Sequence, residues 1–166
     1  MALTRVLGAT AVAATLPTTV GGTGATTFSP GKVLQVVYGN TGTAVANATT
    51  SYIDTGLTAT ITPSATTSKI LILVTQSIGK SNNNTFQDLN LLRDTTSLFD
   101  PWANDVLYTA TVQHLYVHAA FNYLDSPSST SALVYKTQFK SYNTDQVNVQ
   151  AADGSQSSMT LMEIGV

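Results

Sequence analysis

The sequence contains no cysteine, a single tryptophan and few charges: Lys, Arg, Asp and Glu together make up 10 % of its 166 residues. Without cysteine there is no disulfide scaffold, no thiolate zinc site and no cysteine nucleophile. Lys and Arg number seven, scattered singly, and the formal net charge is −2. That balance excludes a protein that binds nucleic acid electrostatically. The longest apolar run, Ile70–Val74, is far below the roughly 18 residues that a spanning helix needs. No membrane insertion is expected.

Hydroxyl groups stand where the charges are missing. Roughly a quarter of the chain is Ser or Thr, well above ordinary usage. Thr is β-branched and suits a pleated surface. A surface of Thr, Ser, Asn and Gln with little Lys or Glu also suits subunit contacts, from which those ions are depleted. The length fits one domain, or one domain with an arm. A domain of about 150 residues hides roughly 70 % of its unfolded surface, so a real core is possible.

The opening residues, MALTRVLGATAVAATLP, superficially resemble a secretory signal. Gly8 and Thr10 interrupt the apolar run, so it makes a weak signal core. Residues 1–30 have too few large apolar side chains to fold alone. They read as an extended anchoring and oligomerisation arm lying against the rest of the chain, another copy or a partner. Its apolar contacts would come from Leu3, Val6, Leu7, Leu16, Pro17, Val20 and Phe28. Residues 31–166 read as the folded domain.

Within that domain, a strand pattern starts at Lys32 and runs to Tyr38, and Gly39-Asn40 reads as its stop. Gly42–Thr50 reads as a polar loop and Ser51–Asp54 as a short strand. Leu57–Thr62 alternates apolar with Thr, the period of a half-buried strand. Lys69–Ser77 is apolar on both faces at its start, which predicts a central strand covered on both sides. Thr85–Arg93 and Ser97–Phe99 form a hairpin pattern around Asp94-Thr95-Thr96. Asp100-Pro101-Trp102 could open one helical turn. A long strand region, Val106–Tyr123, follows. Ala132–Tyr142 alternates, with Leu133, Tyr135 and Phe139 on one face. Gln146–Gln150 and Met159–Ile164 complete the pattern, joined through an Asp153-Gly154 turn signal. Eight to ten short strands without an amphipathic helix predict an all-β fold, an antiparallel sandwich of jelly-roll type.

Chemistry-bearing motifs are scarce. Gly21-Gly-Thr-Gly24 lacks the phosphate-loop spacing, and a strand follows it rather than a helix. The carboxylates are dispersed and no Gly-x-Ser-x-Gly elbow occurs. No enzymatic activity, cofactor or metal is expected. His114, Tyr116 and His118 share a face at strand period. The two histidines would lie about 13 Å apart along a strand, too far to share an ion within one chain. These three are candidates for a trimer interface. Trp102, Tyr108 and Tyr142 are the candidate glycan-binding faces, because an aromatic ring offers a flat apolar body with a polar tip. Asn47-Ala-Thr49 and Asn83-Asn-Thr85 match the glycosylation sequon, which acts only in a eukaryotic secretory route.

LPTTVGGTGATTFSPGKVLQVV at Leu16–Val37 resembles the segment that opens the C-terminal domains of bacteriophage tail fibres, cyanophage-like fibres among them. Leu124–Gln138 and Ser158–Gly165 resemble later parts of the same group. The resemblance implies a virion structural protein on the exterior of a phage particle: a homotrimeric fibre or spike with a β-rich knob. Its partners would be copies of itself, tail, baseplate or capsid proteins, and host-surface polysaccharide. The family supplies no catalytic motif. Long fibres carry an extended shaft before this region, and here about 30 residues precede it. A capsid decoration protein, docking through the same arm, is therefore the alternative reading. A carbohydrate-binding module acting alone is the second.

Overall fold

The computed structural model describes residues 32–81, 85–100 and 114–165. The proposed arm, with Leu3, Val6, Leu7, Leu16, Pro17, Val20 and Phe28, lies outside the described residues, as do Trp102 and Tyr108.

Among the described residues ten strands follow in chain order: β1 (Lys32–Thr41), β2 (Val45–Asn47), β3 (Ile53–Ile61), β4 (Lys69–Lys80), β5 (Gln87–Arg93), β6 (Thr96–Phe99), β7 (Leu115–Asp125), β8 (Leu133–Ser141), β9 (Val147–Val149) and β10 (Ser157–Gly165). They form two antiparallel sheets packed as a β-sandwich. The six-stranded sheet runs β1-β10-β4-β9-β2, with β7 on the other side of β4; the four-stranded sheet runs β3-β8-β5-β6.

Alternation builds the core. In β8, Leu133, Tyr135, Thr137, Phe139 and Ser141 are buried while the residues between them are not. In β10, Met159, Leu161 and Glu163 turn inward. The apolar interior forms two clusters. One gathers Leu57, Ile70, Ile72, Val74, Tyr135 and Leu161, and the other Ile78, Leu89, Phe139, Val147 and Val149. Between them a polar layer joins the sheets. Thr137 Oγ1 donates to Gln76 Oε1 at 2.9 Å, Thr55 Oγ1 lies 2.6 Å from Thr137 Oγ1, and Gln76 Nε2 donates to Ser157 Oγ at 2.8 Å. Each of these buried polar groups is paired, which keeps the layer affordable in a low-dielectric interior.

Several local expectations are corrected. Gly39 does not stop β1, which continues to Thr41. A Cβ at Gly39 would collide with the Thr58 carbonyl oxygen, so glycine serves a close approach of backbones. The loop at Gly42–Thr50 contains β2, paired with β9. The two short strands expected at Ser51–Asp54 and Leu57–Thr62 are one strand, β3. Its register shifts between Asp54 and Thr58, where Gly56 adopts φ 84°, the mark of a bulge. Finally, β4 is not covered on both faces along its first half: Leu73 is 40 % exposed.

Candidate functional site: the outer face of the six-stranded sheet

The two outer faces differ in kind. The four-stranded sheet carries ion pairs on the face turned from the core, an exposed Lys136–Asp54 at 2.9 Å and Lys140–Asp88 at 3.2 Å, in which Asp88 is buried. The six-stranded sheet turns out Leu34, Val36 and Tyr38 from β1, and Leu71 and Leu73 from β4. Leu124 from β7 and Met162 from β10 extend the same face. Of these, Val36, Tyr38 and Leu124 are more than half exposed. No Asp or Glu of these strands faces the same way, and Lys32 and Lys69 stand only at strand starts. Exposed apolar patches of this kind mark interaction surfaces.

At the other end of that face the sheet makes a cleft. β10 pairs β4 from Lys69 to Thr75, and β9 takes over from Ile78 to Lys80. β9 and β10 thus lie end to end along β4 rather than as a hairpin. The connection between them leaves the sheet at Gln150, whose φ is 50°, and returns at Ser157. Ser157 Oγ accepts from the Ser77 N–H at 2.8 Å and closes the gap in the ladder. The expected turn is present: Ser155 N–H donates to Ala152 O at 2.9 Å, and Gly154 adopts φ 68°. This loop stands over the sheet opposite β7. The resulting cleft, about 330 Å³, is lined by Ser77, Tyr116, Val117, His118 and Ala152–Ser155.

The strand period foreseen for His114, Tyr116 and His118 is present. Tyr116 and His118 lie in β7 opposite Gly79 and Ser77, and His114 immediately precedes the strand; all three are exposed. Tyr116 and His118 meet in the cleft. Tyr142 lies elsewhere, just past the end of β8, 54 % exposed, with its ring edge-on to Phe86 at 5.1 Å. Asn47 of the first sequon is buried. Its amide donates to Ser51 O and Phe139 O, and its oxygen accepts from Thr49 N–H. It is a turn-stabilising residue. Among the described residues no group of three or more His, Cys, Asp or Glu side chains could hold a metal ion.

Sequence reasoning missed Ser77, Asp153 and Ser155 as cleft residues, and Leu71, Leu73, Leu124 and Met162 as surface residues. The apolar runs were visible, but which face lay open was not.

Glu163 fixes the edge of this sheet. It is fully buried. It accepts from Gln35 Nε2 at 2.6 Å, from the Ser64 N–H and hydroxyl at 2.7 and 2.6 Å, and from the Ser68 hydroxyl at 2.7 Å. It thereby ties β1 to the turn between β3 and β4. Burial alone would raise its pKa, but the hydrogen bonds from Ser64, Gln35 and Ser68 prevail and hold it at about 2, against an ordinary 4.5. A pKa depressed in the folded state gives stability that is present above the unfolded value and lost as pH falls. Urea denaturation across a pH series should therefore show stability dropping between about pH 4.5 and 2. Glu163→Gln should flatten that part of the profile and cost about 1–3 kcal/mol at neutral pH. An unchanged acid limb in the variant would exclude Glu163 as its source.

No protein-family model matches the sequence, and no curated protein matches it. The fold and surface define an antiparallel β-sandwich with one ionic outer face and one largely uncharged, apolar outer face ending in a cleft.

Proposed function

We propose that the chain is a structural subunit of a phage particle, a homotrimeric fibre or spike whose β-sandwich knob faces outward and meets host-surface glycan. The observation that carries this reading is the uncharged outer face of the six-stranded sheet. Four neighbouring strands about 4.8 Å apart, each contributing some seven residues, present roughly 400 Å² of plane. Copies of such a face can meet without like-charge repulsion. The fibre-like segments at Leu16–Val37, Leu124–Gln138 and Ser158–Gly165 support the same reading. In this arrangement the apolar end, around Leu73 and Leu124, packs against sister subunits. The cleft end, around Tyr116, lies about 20 Å further along the strands and is left for a ligand.

Antibody raised against residues 32–165 is expected to label the outside of intact particles of the phage that encodes the chain. Particles that lack the chain would overturn the reading.

A further inference from the structure

We propose that the cleft between β7 and the β9–β10 connection is a binding site for a neutral saccharide. The proposal rests on the knob reading above and deepens it by naming a site and a ligand class.

The first observation is the seat of Tyr116. A Cβ built on Gly79 would lie 2.6 Å from Tyr116 Cε1 and closer still to Cδ1. The edge of the ring therefore occupies the space that any side chain at position 79 would fill. Glycine sets the ring down across the sheet, and Tyr116 remains 41 % exposed. An aromatic ring fixed in advance loses little freedom on binding. Its apolar face complements the C–H face of a sugar ring, and its hydroxyl remains available at the rim.

The second observation is the polar lining. Asp153, His118 and Ser77 border the same cleft. Ser155 Oγ, in the wall, is buried without a hydrogen-bond partner among the described residues. A paired state is the rule for such atoms, so the wall holds hydrogen-bonding capacity that the described chain does not use. A carboxylate accepts from neighbouring hydroxyls, and imidazole and hydroxyl groups both donate and accept. A flat apolar platform flanked by mixed donors and acceptors fits a polyol.

The third observation is charge. Among the described residues, Asp153 carries the one formal charge in the lining, and no Lys or Arg borders the cleft. Phosphorylated, sulfated and carboxylated ligands would meet a carboxylate with no cation to pair them. The volume of about 330 Å³ falls at the small end of the roughly 300–1,000 Å³ range of ligand sites. One or two sugar rings of a longer polymer would fill it.

The test uses the full chain on a printed array of neutral, acidic and amine-bearing glycans, followed by titration with the best-retained neutral oligosaccharide. Tyr116→Ala and Asp153→Asn should each weaken that binding tenfold or more. Gly79→Ala, which touches no ligand, should weaken it as well by lifting the ring from its seat. Circular dichroism and sedimentation on the same samples report fold and subunit number. Folded trimers with no affinity for neutral glycans, or with binding that Tyr116→Ala and Asp153→Asn leave unchanged, would overturn the site while leaving the trimer reading in place. Preferential retention of acidic or amine-bearing glycans would overturn the ligand class. A monomer that binds neutral glycan with the same dependence on Tyr116 would support the site and overturn the trimer.

Discussion

Replacing Asp125 by Ala is expected to destabilise the sandwich by about 3–5 kcal/mol, because it leaves a partly buried cation without its partner. Asp125 closes β7 in the six-stranded sheet. Its carboxylate accepts from Arg93 Nη1 at 2.6 Å and from the Tyr135 hydroxyl at 2.7 Å, both on strands of the other sheet. The side chains of Arg93 and Asp125 are 22 % and 7 % exposed, and Tyr135 is fully buried. Burial, then the bond donated to Asp125, pushes the Tyr135 hydroxyl far above its ordinary pKa. Burial opposes the charge on Arg93, but the Asp125 hydrogen bond and charge outweigh it and raise its pKa. The triad therefore clamps the two sheets with a neutral, directed pair. Thermal unfolding should fall by roughly 10 °C or more for a chain of this size. Arg93→Met, Asp125→Leu and Tyr135→Phe combined should recover much of the loss, since apolar groups can replace a buried pair when no partner is left unpaired. A loss below about 1 kcal/mol in Asp125→Ala would show that the pair contributes little.

Short-range pattern made much of this fold legible. Period-two alternation located the inward faces of Leu57–Thr62 and Ala132–Tyr142. The turn residues Asp94 and Asp153-Gly154 located the β5–β6 hairpin and the turn in the β9–β10 connection, and both Asp94 and Gly154 have positive φ. Errors arose where a residue answers to something distant in sequence. Gly39 looked like a strand stop because the Thr58 carbonyl that demands it lies on another strand. Ile70–Val74 looked doubly covered because apolar alternation cannot say whether a second layer exists. The same limit governed the cleft. The shared face of Tyr116 and His118 follows from strand period alone. Their meeting with Ala152–Ser155 depends on β4 exchanging β10 for β9 along one edge, a feature of pairing that no local window contains. Trp102 and Tyr108 lie outside the described residues, and Tyr142 sits apart from the cleft.

Leu73→Asp is expected to separate the subunits while leaving the sandwich intact. Leu73 sits on the central strand of the six-stranded sheet, opposite Asn122 on β7 and Thr160 on β10. It is 40 % exposed in the single chain, so a carboxylate there stays hydrated in a monomer and the melting temperature should barely move. In a trimer packed through this face, three carboxylates would be drawn from water toward one another, a cost of several kcal/mol that the contact would have to bear. Leu124→Asp, a diagonal neighbour about 7–8 Å away across the sheet, should act in the same direction. A matched substitution on the other sheet, Val134→Asp, tests specificity: Val134 is 37 % exposed on the ionic face and should leave assembly unchanged. The deciding measurement is sedimentation equilibrium of the full chain. The account predicts a mass three times the 17.4 kDa of one chain, reduced to a single chain by Leu73→Asp. A monomer at every concentration, or a trimer indifferent to Leu73→Asp, would contradict it.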